Sequence, residues 1–169
     1  MLRRLEQKDA SFMLEWMYDE TINCNFRYPF AGMTLEKAKN FIKYSFDEEN
    51  QHFAIVDDKD EYLGTVSLKH ISEKDHNAEY AIVTRKKAHG TGIAEHATTE
   101  ILKYAFSDLG LHRVYLNVLS DNIAARKLYE SCGFDLEGEF QDAIKLQGRY
   151  RNLSWYAMLN WKEKNMEKN

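Results

Sequence analysis

Proline is nearly absent from this chain of 169 residues, Pro29 being the single one, and no internal repeat or low-complexity run interrupts it. A proline-rich spacer is therefore excluded, and one domain over residues 1–169 is expected. Cysteine is scarce as well. Cys24 and Cys132 stand far apart without metal-ligand spacing, so both are expected as free thiols and no metal site is expected. No apolar run approaches the roughly 18 residues of a membrane span, and Met1-Leu2-Arg3-Arg4-Leu5-Glu6 lacks the apolar stretch of a signal peptide. The expectation is a cytoplasmic protein with no membrane contact. Positive charge is not in excess either: the formal net charge is −4. Non-specific nucleic-acid binding needs a basic face that releases counterions, so a nucleic-acid partner is not expected and the ligand should be smaller.

What is present is ordinary for a folded domain, 44% hydrophobic with 13% aromatic, in a chain long enough to bury a core and shape a cleft. A strand is expected at Leu2–Leu5, then a helix with Phe12, Met13, Leu14, Trp16 and Met17 as its apolar positions. Thr34-Leu35-Glu36-Lys37 has the form of a capping box shifted by one, with Thr34 as cap. Ala38, Phe41, Ile42 and Phe46 would form the buried stripe of the helix that follows. Three strands come next, at His52–Asp57, Tyr62–Ile71 and Ala78–Thr84, with short polar connections that suit antiparallel neighbours. A helix from Thr91 to about Leu109, ending at Gly110, and a strand at His112–Leu119 complete a strand–helix–strand unit whose strands should be parallel. A helix at Asp121–Ser131 and strands at Phe134–Phe140 and Leu153–Leu159, turning around Gln147-Gly148-Arg149-Tyr150, close the chain. The fold class expected is α/β with a mixed sheet.

The segment between the third and fourth of these strands carries chemistry. Tyr80-Ala81-Ile82-Val83-Thr84 runs into Arg85-Lys86-Lys87 and then Ala88-His89-Gly90-Thr91-Gly92-Ile93, which opens a helix. Two glycines let backbone N–H groups approach an anion, and a helix N-terminus adds unpaired donors and a positive dipole end. A P-loop would need Gly-Lys-Ser/Thr, and a dinucleotide site would need a third glycine with an acid about 20 residues on. Neither is present. Beyond the next strand stands Asn122-Ile123-Ala124-Ala125, followed by Tyr129-Glu130-Ser131-Cys132-Gly133-Phe134.

At these two motifs the chain resembles the GNAT superfamily of acetyl-CoA-dependent N-acetyltransferases. Lys87 departs from the usual Gln or Arg, keeping a cation and losing bidentate geometry. Glu137-Gly138, Gly148-Arg149-Tyr150 and Leu153–Leu159 are similar to the RimJ/RimL-like branch. The resemblance implies a mostly antiparallel twisted sheet flanked by helices, with two splayed central strands between which the pantetheine arm of acetyl-CoA enters. It implies that Ile82, Val83 and Thr84 pair with that arm, and that Lys87, Ala88, His89, Gly90, Thr91, Gly92 and Ile93 hold the pyrophosphate. Asn122 and Arg126 would also meet the cofactor. For Asn122 simple helix capping is an equal reading, with Asp121 or Ser120 the better capping candidates.

Tyr129 is the expected general acid for the departing thiolate, against a plain packing role. Glu79 is the expected base, against a surface carboxylate, and His70, His76 and His89 flank the same region. Cys132 has no visible base partner and reads as a buried small residue. The partner expected is a small-molecule amine acceptor, with the protein a monomer or homodimer. The opening Leu2–Ala10 and Leu14-Glu15-Trp16-Met17 look like acetyltransferases acting on nucleotide-linked 4-amino sugars, and Phe26-Arg27-Tyr28 would contact that substrate. A polyamine acceptor, which Asp47-Glu48-Glu49 would serve, a protein N-terminus, and a non-catalytic acetyl-CoA-binding module are the alternatives.

Overall fold

The computed structural model describes residues 1–160. The chain runs β1 (Leu2–Arg4), α1 (Ala10–Tyr18), α2 (Glu20–Asn23), α3 (Leu35–Lys43), β2 (Gln51–Val56), β3 (Tyr62–Ser72) and β4 (Asn77–Thr84). It continues through α4 (Ile93–Lys103), β5 (Arg113–Leu119), α5 (Ile123–Ser131), β6 (Asp135–Leu146) and β7 (Arg149–Leu159). The seven strands form one sheet in the order β1-β2-β3-β4-β5-β7-β6. β4 and β5 pair in parallel and the other neighbours are antiparallel.

Local chemistry accounts for most boundaries. Thr34 Oγ1 accepts the Lys37 N–H at 3.2 Å and starts α3 as an N-cap should. That helix stops at Lys43, so Phe46 lies beyond its stripe and Phe41 remains 36% exposed. Phe46 packs instead edge-on against Phe53, with the Arg4 guanidinium 3.8 Å over its ring. The long helix before β5 is α-helical only to Lys103; Tyr104–Asp108 widens into a π-helical turn before Gly110, whose φ is +63°. The β6–β7 hairpin turns on Gln147 and Gly148, both at positive φ, as a two-residue loop matching strand twist requires. Its strands are longer than expected because a bulge between Phe140 and Ile144 and a run of polar residues hide their alternation.

Two cores sandwich the sheet. One joins Val66, Leu68, Ala78, Tyr80, Val114, Leu116 and Tyr156 to Ala97 and Ile101 of α4 and Tyr129 of α5. The other joins Ala54, Val56 and Tyr62 to Met13, Trp16 and Met17 of α1 and Ala38 and Ile42 of α3. β4 serves both: Ile82 packs on the first and Val83 on the second, as period-2 alternation demands. No helix among the described residues is long and apolar enough to cross a membrane.

Candidate active site

The parallel ladder between β4 and β5 is short. It holds Asn77↔Arg113, Ala78↔Val114 and Glu79↔Tyr115 and then stops. Tyr80–Thr84 remain paired with β3 on one side, and Leu116–Leu119 with β7 on the other. The strands therefore diverge after Glu79, leaving the inner edge of Ile82-Val83-Thr84 without a strand partner. An extended amide-bearing chain fits such an edge as an added strand would.

Past β4, the Arg85 N–H bonds Leu63 O at 2.7 Å, and a single 3₁₀ turn at Lys86–Ala88 leads to Gly90 and Gly92 at φ +73° and +80°. Gly92 is the N-cap of α4 and has no side chain to bond the first-turn donors. A Cβ on either glycine would meet nothing within 4 Å. Their need is thus conformational, and the space before the helix end is open to an anion. Thr91 Oγ1 donates to Ala88 O at 2.7 Å, and the exposed His89 has Nε2 3.4 Å from Thr84 O.

Three cations near the glycine loop and α5 have partners within the protein. Arg85 is buried, bonded to Glu15 at 2.8 Å, Glu61 at 2.7 Å and Tyr62 O at 2.8 Å. Lys87 Nζ takes the same Glu61 oxygen at 2.7 Å. Arg126 donates to the Tyr156 hydroxyl at 2.9 Å and to Ser120 O at 3.0 Å. Asn122 caps α5, its Oδ1 accepting the Ala125 N–H at 3.2 Å. The preferred capping candidates are occupied otherwise, Asp121 by Arg151 and Ser120 by the Ser154 hydroxyl.

Tyr129 is 8% exposed, and its ring meets Tyr80 edge-on at 5.9 Å and Phe134 at 6.0 Å. Burial pushes its phenol up to about 12. Its neighbour Tyr80 is held by Thr98 Oγ1 at 2.7 Å. Burial also pushes the Cys132 thiol up, the opposite of what a nucleophilic cysteine needs. Glu79 sits at the last β4–β5 pair, with Lys69 Nζ 2.9 Å from one oxygen and His70 Nε2 3.7 Å from the other. His76 lies in the exposed turn before β4.

On the α1–α3 side of the sheet opens a cleft of about 780 Å³. Trp16, Phe26, Tyr28 and Phe30 line it, as do Ala81, Ile82 and Val83 of β4. Arg27, expected beside Phe26 and Tyr28, is not among the lining residues. Nor are Asp47, Glu48 and Glu49; Asp47 Oδ1 accepts the N–H groups of Glu49 and Asn50 and closes a turn. Glu36, Lys37, His52, Ser67 and Lys69 also line the cleft and were not legible as site residues, because only the packing of α3 over the β2–β3–β4 register brings them together. His52 Nδ1 lies 2.7 Å from Ser67 Oγ, and burial, with Lys69 nearby, lowers its pKa to about 4. Among the described residues no group of three or more His, Cys, Asp or Glu is placed to hold a metal ion.

Comparison with known proteins agrees with this geometry. The chain is 31% identical over 163 residues to a spermidine N(1)-acetyltransferase of Vibrio cholerae serotype O1, covering 95% of this chain and 93% of that one. A spermidine N(1)-acetyltransferase of Escherichia coli K12 is 28% identical over 152 residues, covering 89% and 81%. The crystal structure of the Vibrio cholerae spermidine N-acetyltransferase in complex with CoA and spermine superposes with a TM-score of 0.88 at 29% identity, covering 98% of each chain. These likenesses are to spermidine N-acetyltransferases and not specifically to the RimJ/RimL-like branch. The model of the acetyltransferase (GNAT) domain matches residues 1–135, across the splayed strands and the glycine loop and on to Tyr129. A splayed pair of strands, an open anion cradle and a matching family model leave one assignment: the chain belongs to the GNAT acetyltransferases and is an acetyl-CoA-dependent N-acetyltransferase.

Proposed function

We propose that the acceptor is a linear polyamine of the spermidine class, bound in the aromatic cleft with one primary amine directed at the splay. The observation that carries this reading is the charge state of the cleft. Its two lysines are already engaged, Lys37 with Gly32 O at 2.8 Å and Lys69 with Glu79 at 2.9 Å. Its histidine, His52, is neutral at neutral pH. Glu36 lines the same wall and has no ion-pair partner among the described residues. Aromatic faces at Trp16, Phe26, Tyr28 and Phe30 suit alternating methylene and ammonium groups, through apolar contact and cation–π attraction. The likeness to spermidine N-acetyltransferases supports the same acceptor. A nucleotide-linked amino sugar, expected from the N-terminal segment, would ask for cations free to meet a diphosphate. Of those lining the cleft, Lys69 is paired with Glu79 and Lys37 is held only by the Gly32 carbonyl, which leaves a single unpaired ammonium for two phosphates.

Acetyl-CoA supplies an activated thioester carbonyl. Around it, the backbone of Ile82–Thr84 would hold the pantetheine arm and residues 87–93 the pyrophosphate, through N–H groups and the α4 dipole. Glu79 removes a proton from the acceptor ammonium, making the amine nucleophilic. Tyr129 donates a hydrogen bond to the departing sulfur.

The test is a panel: spermidine, spermine, a nucleotide-linked 4-amino sugar and an alanine-initiated peptide, each with acetyl-CoA, followed by thiol release. Spermidine should give the highest kcat/KM. Glu36→Gln should raise its KM about fivefold with kcat nearly kept, since a lost ion pair near the surface is worth on the order of 1 kcal/mol. Preference for the amino sugar, or a KM indifferent to Glu36, would overturn the polyamine assignment.

A further inference from the structure

Lys69 and His70 both reach Glu79, which adjacent residues of a regular strand cannot do, because their side chains leave opposite faces. Lys69 is the ladder partner of Glu79, so its position on that face is expected. His70 gets there by a bulge: the β3–β4 register shifts between Lys69 and Ser72, and His70 adopts φ +51°. Residues other than glycine seldom adopt that conformation, and here the turn before β2 braces it. The His70 N–H bonds Asn50 Oδ1 at 3.3 Å, and the Ile71 N–H bonds Glu49 O at 2.9 Å. The outcome is a carboxylate with one oxygen on an ammonium and the other 3.7 Å from an imidazole, at the point where β4 and β5 part. Glu79 is 21% exposed and His70 69%, so the pair leads from the cleft's edge to water.

We propose that His70 is the proton exit of the reaction, relaying to solvent the proton that Glu79 takes from the acceptor. This rests on Glu79 being the base. In the first transfer an N–H bond of the ammonium breaks and an O–H bond forms on Glu79. In the second that O–H bond breaks and an N–H bond forms at Nε2 of His70, directly or through one water. The imidazolium then loses its Nδ1 proton to water or buffer, and exchange of the exposed ring with water moves the remaining proton from Nε2 back to Nδ1, restoring the accepting tautomer and a free carboxylate. Protonating Glu79 forfeits its attraction to Lys69, which favours passing the proton on. The groups that face Glu79 are Lys69 and His70 from β3 and Tyr115 from β5. His70 itself meets Glu79 and the Glu49–Asn50 turn.

The experiment measures kcat for wild type, His70→Ala, His70→Gln and Glu79→Gln, in dilute inert buffer and with increasing imidazole at constant pH and ionic strength. In inert buffer both His70 variants should lose about tenfold or more in kcat with acceptor KM little changed. Imidazole should restore the rate of His70→Ala towards wild type while leaving Glu79→Gln slow. A structural role for His70 would not respond to a diffusible proton carrier. Full activity in His70→Ala with Glu79→Gln impaired, or a loss that imidazole does not reverse at an unchanged melting temperature, would refute the relay alone. Full activity in Glu79→Gln would refute Glu79 as base and the relay with it.

Discussion

Tyr129→Phe removes one oxygen from a ring that is otherwise packed, so it separates the chemistry of this residue from its place in the core. The ring is 8% exposed and keeps its edge contacts with Tyr80 and Phe134 in the variant. Among the described residues no group hydrogen-bonds the hydroxyl, so its loss should cost folding less than about 1 kcal/mol. Burial holds the phenol at about 12, above the ordinary value near 10. A folded value raised in this way contributes stability that is whole below pH 10 and is lost as pH rises through about 12. At pH 7 to 9 the phenol is therefore neutral and able to donate. A thiol near 8.5 lies roughly 3.5 pH units lower, which makes complete proton transfer to the thiolate uphill by about 5 kcal/mol. Tyr129 should accordingly act by a hydrogen bond that strengthens as charge grows on sulfur, with solvent completing the protonation. A general acid of this kind is worth roughly a hundredfold, or about 2.7 kcal/mol of barrier. The assay is kcat by thiol release, with acetyl-CoA affinity from calorimetry and the melting temperature beside it. An unchanged kcat, when single-turnover kinetics show chemistry to be rate-limiting, would return Tyr129 to a packing role. A fall in kcat matched by a melting point lower by several degrees would do the same.

Two further substitutions test the frame of the site. Gly64 faces β4 so closely that a Cβ would stand 2.4 Å from Val83 O and 2.9 Å from Thr84 Cα. Backbone must then move, so Gly64→Ala should cost about 1–3 kcal/mol in chemical denaturation and weaken acetyl-CoA binding with it; unchanged stability would mean that the β3–β4 contact is looser than described. His52, lowered to about 4 by burial, favours the fold above its ordinary 6.5 and loses that contribution as pH falls through about 4, by at most about 3 kcal/mol. His52→Gln should flatten the loss of stability between pH 6.5 and 4, read as urea midpoints across that range. The same slope in both proteins would place the acid sensitivity elsewhere.

The order of elements was legible because hydrophobic period and capping chemistry are local. Thr34 announces α3, Gly110 ends the long helix, and the strands from Gln51 to Thr84 read directly from their alternation. What local patterns hide is termination against tertiary competition. Phe46 continues the spacing of α3 but is drawn to Phe53 and Arg4, and Tyr104–Asp108 loosens into a π turn that no apolar spacing marks. β6 exceeds its expected length because its outer residues are mostly exposed and carry no period-2 signal, while pairing with β7 continues regardless.

The backbone conformation of the candidate site was legible in the sequence, and the partners of its charged side chains were not. Glycines and a helix start specify an anion cradle whatever surrounds them, and Gly90 and Gly92 adopt the positive φ that this requires. A cation's role depends on the carboxylate that topology brings to it, and sequence does not show that partner. Lys87 is expected at the pyrophosphate, and with its neighbour Arg85 it meets Glu61, which precedes β3, while α1 delivers Glu15 to Arg85. Arg126, expected at the cofactor, donates to the Tyr156 hydroxyl that β7 delivers. Arg85 and Lys87 are thus paired with carboxylates, while Arg126 meets a neutral hydroxyl and a carbonyl and keeps its charge. Lys87, which departs from the usual Gln or Arg, meets Glu61 at 2.7 Å in the same way and has no bidentate geometry to offer.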